Sequence, residues 1–253
     1  MKPLIGQNLI PGEKHFRWRA GEITRLEAFT DAVFAFAVTL LVVSLEVPKT
    51  FAELTSAMKG FVAFAICFAI LVQVWYEHYI FCRRYGLQTL YTVFLNSVLI
   101  FVVLFFVYPL KFLFSIVVGG FSGGLLATHP MENTITISQV PALMVIYSLG
   151  FSAVATVFAL LYRYAYKQRE QLALNEYESL CTRHALINQL AMAALGVLVV
   201  VTAIVLPLRL SGASGYLYVL VGVYYWATGP IFGKRETLVL ERMQAQSAST
   251  SSV

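Results

Sequence analysis

The segment RLEAFTDAVFAFAVTLLVVSLEVP, residues 25–48, is the most informative part of the sequence. No charged residue occurs from Ala32 to Leu45, and extending this run back to Ala28 adds only Asp31. An apolar run of about 20 residues is long enough to cross a bilayer as a helix. A carboxylate inside such a helix is costly, so it is usually paired or faces protein or water. The segment therefore predicts a membrane-spanning helix in which Asp31 has a structural or functional partner.

The composition of the whole chain predicts an integral membrane protein. Of 253 residues, 59% are hydrophobic and 12% are charged, and the mean hydropathy is +0.75. Soluble domains have about 25% charged residues. The net charge of +5 is spread between apolar runs, which argues against nucleic acid as a partner. No hydrolase, phosphate-loop or metal-ligand motif occurs, so we expect neither an enzyme, nor a cofactor, nor a metal site.

Six apolar runs qualify as membrane-spanning helices, and together they predict an all-α fold. They cover residues 26–47, 56–81, 88–110, 140–163, 185–208 and 214–233. Pro141 suits the first turn of the fourth helix. Residues 111–139 contain GGFSGG and THPMENT and predict an exposed loop, although the apolar stretch Phe112–Val118 is able to prolong the third helix past Pro109.

The positions of basic residues predict that both termini are cytoplasmic. This orientation places 14 of the 18 Lys and Arg residues on the cytoplasmic side, as the positive-inside rule requires. The chain then divides into a cytoplasmic segment at 1–24, a six-helix transmembrane domain at 25–235 and a cytoplasmic, disordered tail at 236–253.

A helical wheel gives the first helix two different faces. At 100° per residue, Phe36, Leu40 and Val43 form one stripe, and Thr39 lies beside it. Such a stripe faces lipid or a neighbouring helix in most membrane proteins. The functional interpretation is that the stripe lines a symmetric pore, where a hydrophobic constriction gates by dewetting. The residues alone leave both interpretations open.

Asp31 lies away from that stripe and needs partners on other helices. Candidates are Trp75 and His78 in the second helix and Asn96 in the third. Arg25 lies six residues before Asp31 on the same helix, about 240° round it, so it also needs a partner on another helix or on the backbone. One interpretation is a buried hydrogen-bond network that holds the helices together. The other is a proton relay, which buried Asp and His residues also form.

The first helix resembles a known family of channels. Arg25-xxx-Phe29-Thr30-Asp31, followed by AVFAFAVTLLVVSLEVP, is similar to the RxxxFSD signature and first helix of the transmembrane protein 175 family. Its members are potassium-permeable channels of bacteria, archaea and lysosomes. WYEH, ending at His78, and LNSVLIFVVLFFVYP, containing Asn96, resemble its second and third helices. The detailed resemblance covers roughly residues 25–109.

The resemblance implies a homotetramer in a prokaryotic inner (plasma) membrane, with four first helices lining a central pore for K⁺. It implies a hydrophobic constriction instead of a TVGYG filter. The ion pathway would comprise Phe36, Thr39, Leu40 and Val43. The structural polar network would comprise Arg25, Phe29, Thr30, Asp31, Trp75, His78 and Asn96.

The constriction is the point where this chain departs from the family pattern. Phe36 stands where the family has Ile or Leu. Four phenyl rings on one axis either plug a pore or favour a cation through their negative faces.

We therefore predict a potassium-permeable cation channel and keep two alternatives. One is a proton-coupled secondary transporter that uses Asp31 and His78. The other is a non-conducting membrane scaffold sealed by Phe36. The sequence shows no convincing internal repeat, which counts against the carrier.

Overall fold

The structure is a computed structural model that describes residues 15–43, 48–126 and 135–251. Within these ranges the regular structure is entirely helical. The α-helices are α1 (Arg25–Val43), α2 (Phe51–Lys59), α3 (Phe61–Tyr85), α4 (Leu90–Phe121), α5 (Val140–Lys167), α6 (Glu176–Val205) and α7 (Val219–Ser251). Two 3₁₀-helices, Ile137–Gln139 and Ser211–Tyr218, precede α5 and α7.

Four of these helical segments are long and apolar enough to cross a bilayer. They are Phe61–Tyr85, Leu90–Val107, Ile137–Lys167 and Glu176–Val205. The predicted all-helical membrane fold is thereby confirmed. Helix α1 has 19 residues, about 28 Å at 1.5 Å per residue, and contains Arg25, Glu27 and Asp31.

The predicted helix at 56–81 is wrong at its start, because two helices occupy this region. Thr50 caps α2 by accepting a hydrogen bond from the backbone N–H of Glu53. Gly60, a poor helix former, separates α2 from α3. The nine residues of α2 include no buried residue, and the membrane-length helix begins at Phe61.

The predicted exposed loop at 111–139 is largely helical in its first part. Helix α4 continues through Pro109 to Phe121, which confirms that the apolar residues after the proline prolong it. The Tyr147 hydroxyl of α5 donates a hydrogen bond to the Pro109 carbonyl and ties the two helices together at this point. Pro141 lies in the first turn of α5, as predicted. Residues 127–134 lie outside the described ranges.

The chain end also differs from the predicted disordered tail, because α7 continues through Ser251. Val239, Leu240 and Met243 recur on one side of this helix and pack against the hydrophobic core. The Tyr177 hydroxyl donates to Glu236 over 2.6 Å. Polar composition predicted disorder here, whereas apolar residues at helical spacing give this segment a side to bury.

Helices α5 and α6 form the most extensive helix pair of the described fold. They approach closely where Gly196 of α6 lies against Ser152 of α5. Small residues at such contacts allow membrane helices to pack with their backbones close together. Helix α1 instead packs against α3 and α4, at the edge of this assembly.

Candidate functional site

The N-terminal end of α1 is fixed by a reciprocal cap. The Thr24 hydroxyl accepts from the Glu27 backbone N–H over 3.1 Å, and the Glu27 carboxylate accepts from the Thr24 backbone N–H over 2.7 Å. This capping box satisfies two N–H groups that a helix start otherwise leaves open. The Glu27 side chain is buried, so the cap also sets where α1 enters the helix assembly.

One face of α1 is buried against α3 and α4. It consists of Thr30, Phe34, Ala37 and Leu41, at spacings of four, three and four residues. The Thr30 hydroxyl donates to the Leu26 carbonyl over 2.9 Å, which lets a polar side chain lie in this face. The opposite side of α1 is largely exposed in the part of the chain that the structure describes.

The opposite face of α1 is exposed along the described helix. Its members are small or apolar, with one hydroxyl: Ala28, Phe29, Ala32, Ala35, Phe36, Thr39 and Val42. Phe36 is 56% exposed although it lies in the middle of a hydrophobic helix. We call this set the open face of α1.

The open face contains two of the four predicted pathway residues. Phe36 and Thr39 are exposed, whereas Leu40 lies at the edge of the face, partly buried against the hydrophobic core. The backbone of α1 ends at Val43, whose side chain lies outside the described part of the structure. The exposed side of α1 therefore differs from the predicted stripe. It includes Ala32 and Ala35 and has Leu40 only at its edge.

Thr39 presents an oxygen on the open face. Its hydroxyl donates to the Phe36 carbonyl over 2.6 Å. Because the hydrogen is engaged with the backbone, the lone pairs of Oγ1 remain free to accept or to coordinate a cation.

Asp31 lies between the two faces of α1 and is bound to α3. Its carboxylate accepts a hydrogen bond from the Trp75 indole N–H over 2.8 Å. The Trp75 ring stacks in turn on Tyr79, with 5.8 Å between ring centroids. A charged acceptor makes this hydrogen bond stronger than one between neutral groups.

His78 and Asn96 form a second polar pair, between α3 and α4. His78 Nε2 lies 2.8 Å from Asn96 Oδ1, and both side chains are buried. The amide oxygen only accepts, so Nε2 carries the hydrogen and donates it. The Asn96 amide nitrogen is buried with no hydrogen-bond partner among the described residues.

The structure thus joins four of the seven predicted network residues as two separate pairs. Among the described residues, no hydrogen bond or ion pair involves the Arg25 side chain, and Phe29 is 58% exposed on the open face. Thr30 binds only its own helix backbone. Participation of these three residues in one network stays a prediction.

The sequence interpretation missed an ion cluster that holds the N-terminal segment. Glu178 of α6 is fully buried and accepts from the Nη2 groups of Arg17 over 3.0 Å and Arg19 over 2.7 Å. Arg17 also donates its backbone N–H and Nε to the same carboxylate. Hydrogen bonding to Glu178 raises the pKa of Arg17. We call these three residues the arginine clamp.

The arginine clamp also reaches the end of α3. The backbone N–H groups of Arg19 and Ala20 both donate to the Arg83 carbonyl. The Asn175-x-x-Glu178 spacing is a capping-box signal that identifies Glu178 as a helix-start residue. Its arginine partners lie about 160 residues away, beyond the reach of any local pattern.

Comparison with known proteins gives one family, one relative that matches most of the chain and one that matches a shorter part of it. The family described as endosomal/lysosomal potassium channel TMEM175 matches residues 25–107. A protein of Marivirga tractuosa described as a potassium channel is 39% identical over 233 residues, which cover 90% of this chain and 94% of that protein. A potassium channel of Chamaesiphon minutus is 36% identical over 66 residues, covering 23% of this chain and 32% of that protein.

A solved structure is similar over most of the fold. It is the crystal structure of a threonine-to-alanine variant of the potassium channel MtTMEM175, in complex with a nanobody–MBP fusion protein. The TM-score is 0.77 at 38% sequence identity, and the similarity covers 87% of this chain and 97% of that chain. Both extensive similarities are therefore to proteins described as potassium channels.

Proposed function

We propose that this chain, which belongs to the TMEM175 family of potassium channels, forms a channel of four copies. These copies conduct K⁺ along an axis lined by the open face of α1. The main support is the position of Phe36 and Thr39, exposed at mid-helix while the other side of α1 packs on α3 and α4. A membrane helix with one side largely exposed among the described residues has room there for other copies and a shared pathway.

Phe36 forms the proposed constriction. Four rings around an axis exclude water, and a dry constriction favours the ion that gives up its hydration water more readily, which is K⁺ rather than Na⁺. The negative ring faces offset part of the lost hydration by cation–π attraction. Thr39, one turn further along α1, offers an oxygen to the partly dehydrated ion. Leu40 borders the constriction, and Val43 continues the pathway.

The proposed topology has six spans in a prokaryotic inner membrane, with α1 and α7 added to the four apolar segments. Both termini are cytoplasmic, and the channel domain covers residues 25–235. The arginine clamp supports this orientation, because it joins the N-terminal segment to the end of α3 and the start of α6. Those three regions are ones that the positive-inside rule assigns to the cytoplasm.

The test is K⁺ and Na⁺ flux through purified protein in liposomes. Wild type is compared with Phe36→Ala and with Phe94→Ala, a control that removes another exposed phenyl group, from α4. We expect wild type to pass K⁺ faster than Na⁺. Phe36→Ala raises total flux and lowers the K⁺/Na⁺ ratio, and Phe94→Ala changes neither.

Two outcomes contradict the proposal in different ways. If Phe36→Ala and Phe94→Ala change the total flux and the K⁺/Na⁺ ratio equally, the constriction does not lie at Phe36 on α1. A monomer in mild detergent, measured by light scattering, removes the shared axis altogether.

A further inference from the structure

Arg83, near the C-terminal end of α3, has a guanidinium group without an acid. In the described ranges, no carboxylate lies within ion-pair distance of it, and its Nε is buried with no hydrogen-bond partner. Arg17 and Arg19, which lie close by, share the carboxylate of Glu178. The buried Nε is out of reach of an external ligand, but the terminal nitrogens of Arg83 form no hydrogen bond among the described residues and are the donors that an anion from outside the chain would meet.

An aromatic cluster lies on one side of this guanidinium group, which contacts it through Tyr79. Its central carbon lies 5.4 Å from the centroid of the Tyr79 ring, in cation–π geometry. Tyr79 stacks with Tyr76 at 6.4 Å and meets Trp18 edge-on at 6.4 Å. Trp and Tyr side chains concentrate at the depth of lipid headgroups, where one end of the ring is apolar and the other wet. The cluster therefore marks the membrane–water boundary at this end of α3.

The side chain of Arg83 continues the outward surface of α3. Val62, Ala69, Val72 and Tyr76 are exposed on that surface, and Arg83 follows at spacings typical of one helix face. This surface is apolar along the membrane-length part of α3 and basic only at its end. Such a surface accommodates an acyl chain along the helix and a negative headgroup at Arg83.

We propose that Arg83 binds the phosphate of an anionic phospholipid, with Trp18, Tyr76 and Tyr79 bordering the headgroup. A guanidinium group presents a planar set of N–H donors that matches phosphate oxygens. Anionic lipids attract basic residues at the cytoplasmic surface of membranes. This site does not depend on which helix lines the pore.

The lipid site is connected to α1 through two contacts. Tyr79 stacks on Trp75, and the Trp75 indole donates to Asp31. A bound headgroup that holds Tyr79 in place also holds the ring that positions Asp31. Lipid composition therefore influences the placement of α1.

The test measures lipid binding to delipidated full-length protein by native mass spectrometry. The probes are phosphatidylglycerol, phosphatidylcholine and sn-glycerol 3-phosphate. The variants are Arg83→Gln and Arg183→Gln, the latter removing an equal charge from an exposed position on α6. We expect wild type and Arg183→Gln to retain phosphatidylglycerol at least 5-fold more than phosphatidylcholine, a difference of about 1 kcal/mol in binding. Arg83→Gln loses this preference, and glycerol phosphate binds to none of them.

Three results would overturn the proposal. The first is wild-type protein that retains phosphatidylglycerol no better than phosphatidylcholine. This result overturns the proposal even if Arg83→Gln does not fold. Another is glycerol phosphate binding that competes with lipid, which indicates a site for a soluble phosphate. The third is an Arg83→Gln variant with unchanged lipid retention but altered oligomeric state, which assigns Arg83 to a contact between copies.

Discussion

Helix α1 and the α5–α6 pair are both apolar, yet they differ in how much of their surface is buried by packing within the chain. In the pair, Gly196 lies against Ser152, and the Ser152 hydroxyl donates to the Ala193 carbonyl over 3.1 Å. Close approach and small residues let each helix serve as the other's partner. Helix α1 buries one face and leaves the other, with Phe36 at its middle, exposed to the surroundings of the chain.

In the proposed channel, this difference separates the residues that stabilise one subunit from those that act between copies. A substitution at the close contact of α5 and α6 changes the free energy of unfolding, because the groups that meet there belong to the same chain. In that channel, a substitution on the open face of α1 changes conduction or assembly instead. The predictions below test this separation, starting from the largest expected difference.

Phe34→Ala and Phe36→Ala test it on one helix. Phe34 is 4% exposed, so its truncation leaves a cavity against α3 and α4 and costs about 3–5 kcal/mol of stability. Phe36 is 56% exposed, and its truncation costs about 0.5 kcal/mol or less. Unfolding of the two variants in mixed micelles of increasing SDS content measures both values. Equal losses would show that Phe36 packs within the folded subunit and is not open.

Glu178→Gln tests the arginine clamp. The amide keeps the size of the side chain but removes the buried negative charge that Arg17 and Arg19 share. Removing one partner of a buried ion pair costs about 3 kcal/mol, at the lower end because Arg17 is half exposed. The control is Glu176→Gln, an exposed carboxylate in the same first turn of α6.

Limited proteolysis measures how Glu178→Gln affects the N-terminal segment itself. We expect cleavage after Arg17 or Arg19 to become faster in Glu178→Gln and to stay unchanged in Glu176→Gln. A protease-resistant N-terminal segment in Glu178→Gln would mean that contacts other than the carboxylate hold it.

Gly196→Ala tests the close approach of α5 and α6. A Cβ at this position would lie 2.2 Å from the Ser152 hydroxyl oxygen and 3.1 Å from the Ser148 carbonyl oxygen. The helices must move apart, at a cost of about 2 kcal/mol. Gly222→Ala in α7 is the control, because no described atom beyond its own stretch of helix lies within 4 Å of its new Cβ. Thermal unfolding followed by circular dichroism compares them, and a Gly196→Ala variant as stable as Gly222→Ala would contradict the tight contact.

The outline of the fold could be predicted from local sequence features. Apolar runs of membrane length identify α3 to α6, and Pro141 marks the first turn of α5. Thr50 and Gly60, which set the bounds of α2, are local signals too, but the hydrophobic run that follows outweighs them. The end of α7 was predicted to be disordered because most of its residues are polar. Three apolar residues at helical spacing lie among them, and only tertiary contacts show that these three pack on the core.

The candidate site was predictable where pairs follow from the family motif and not where they depend on distant packing. Trp75 and Asp31, like His78 and Asn96, are unusual polar residues in apolar helices, which is sufficient to select them. The wheel places Leu40 beside Phe36, but the core contacts of α1 decide which side is exposed. Arg17 and Arg19 contribute only to the topology prediction, since nothing local indicates that a carboxylate about 160 residues away binds them.

Asp31→Asn is expected to destabilise the protein less than Phe34→Ala, Glu178→Gln or Gly196→Ala, and it distinguishes a channel from a proton-coupled carrier. The amide that replaces the carboxylate still offers an oxygen to the Trp75 indole N–H, so the hydrogen bond loses its charge assistance but keeps its geometry. We expect a loss of about 1 kcal/mol. Trp75→Phe is the companion variant: it removes the donor, leaves the carboxylate without this hydrogen bond and costs more than Asp31→Asn.

Flux per assembled protein then separates the two mechanisms. A relay through Asp31 and His78 requires a group that exchanges protons, and asparagine does not, so a carrier with Asp31→Asn would assemble and fail to transport. The structure gives Asp31 and His78 different hydrogen-bond partners. A channel whose Asp31 only positions α1 keeps K⁺ flux per tetramer close to that of wild type, at a lower yield of tetramer. An Asp31→Asn variant that assembles normally but shows no K⁺ flux would therefore favour transport through the polar pairs of Asp31 and His78 over conduction along the open face.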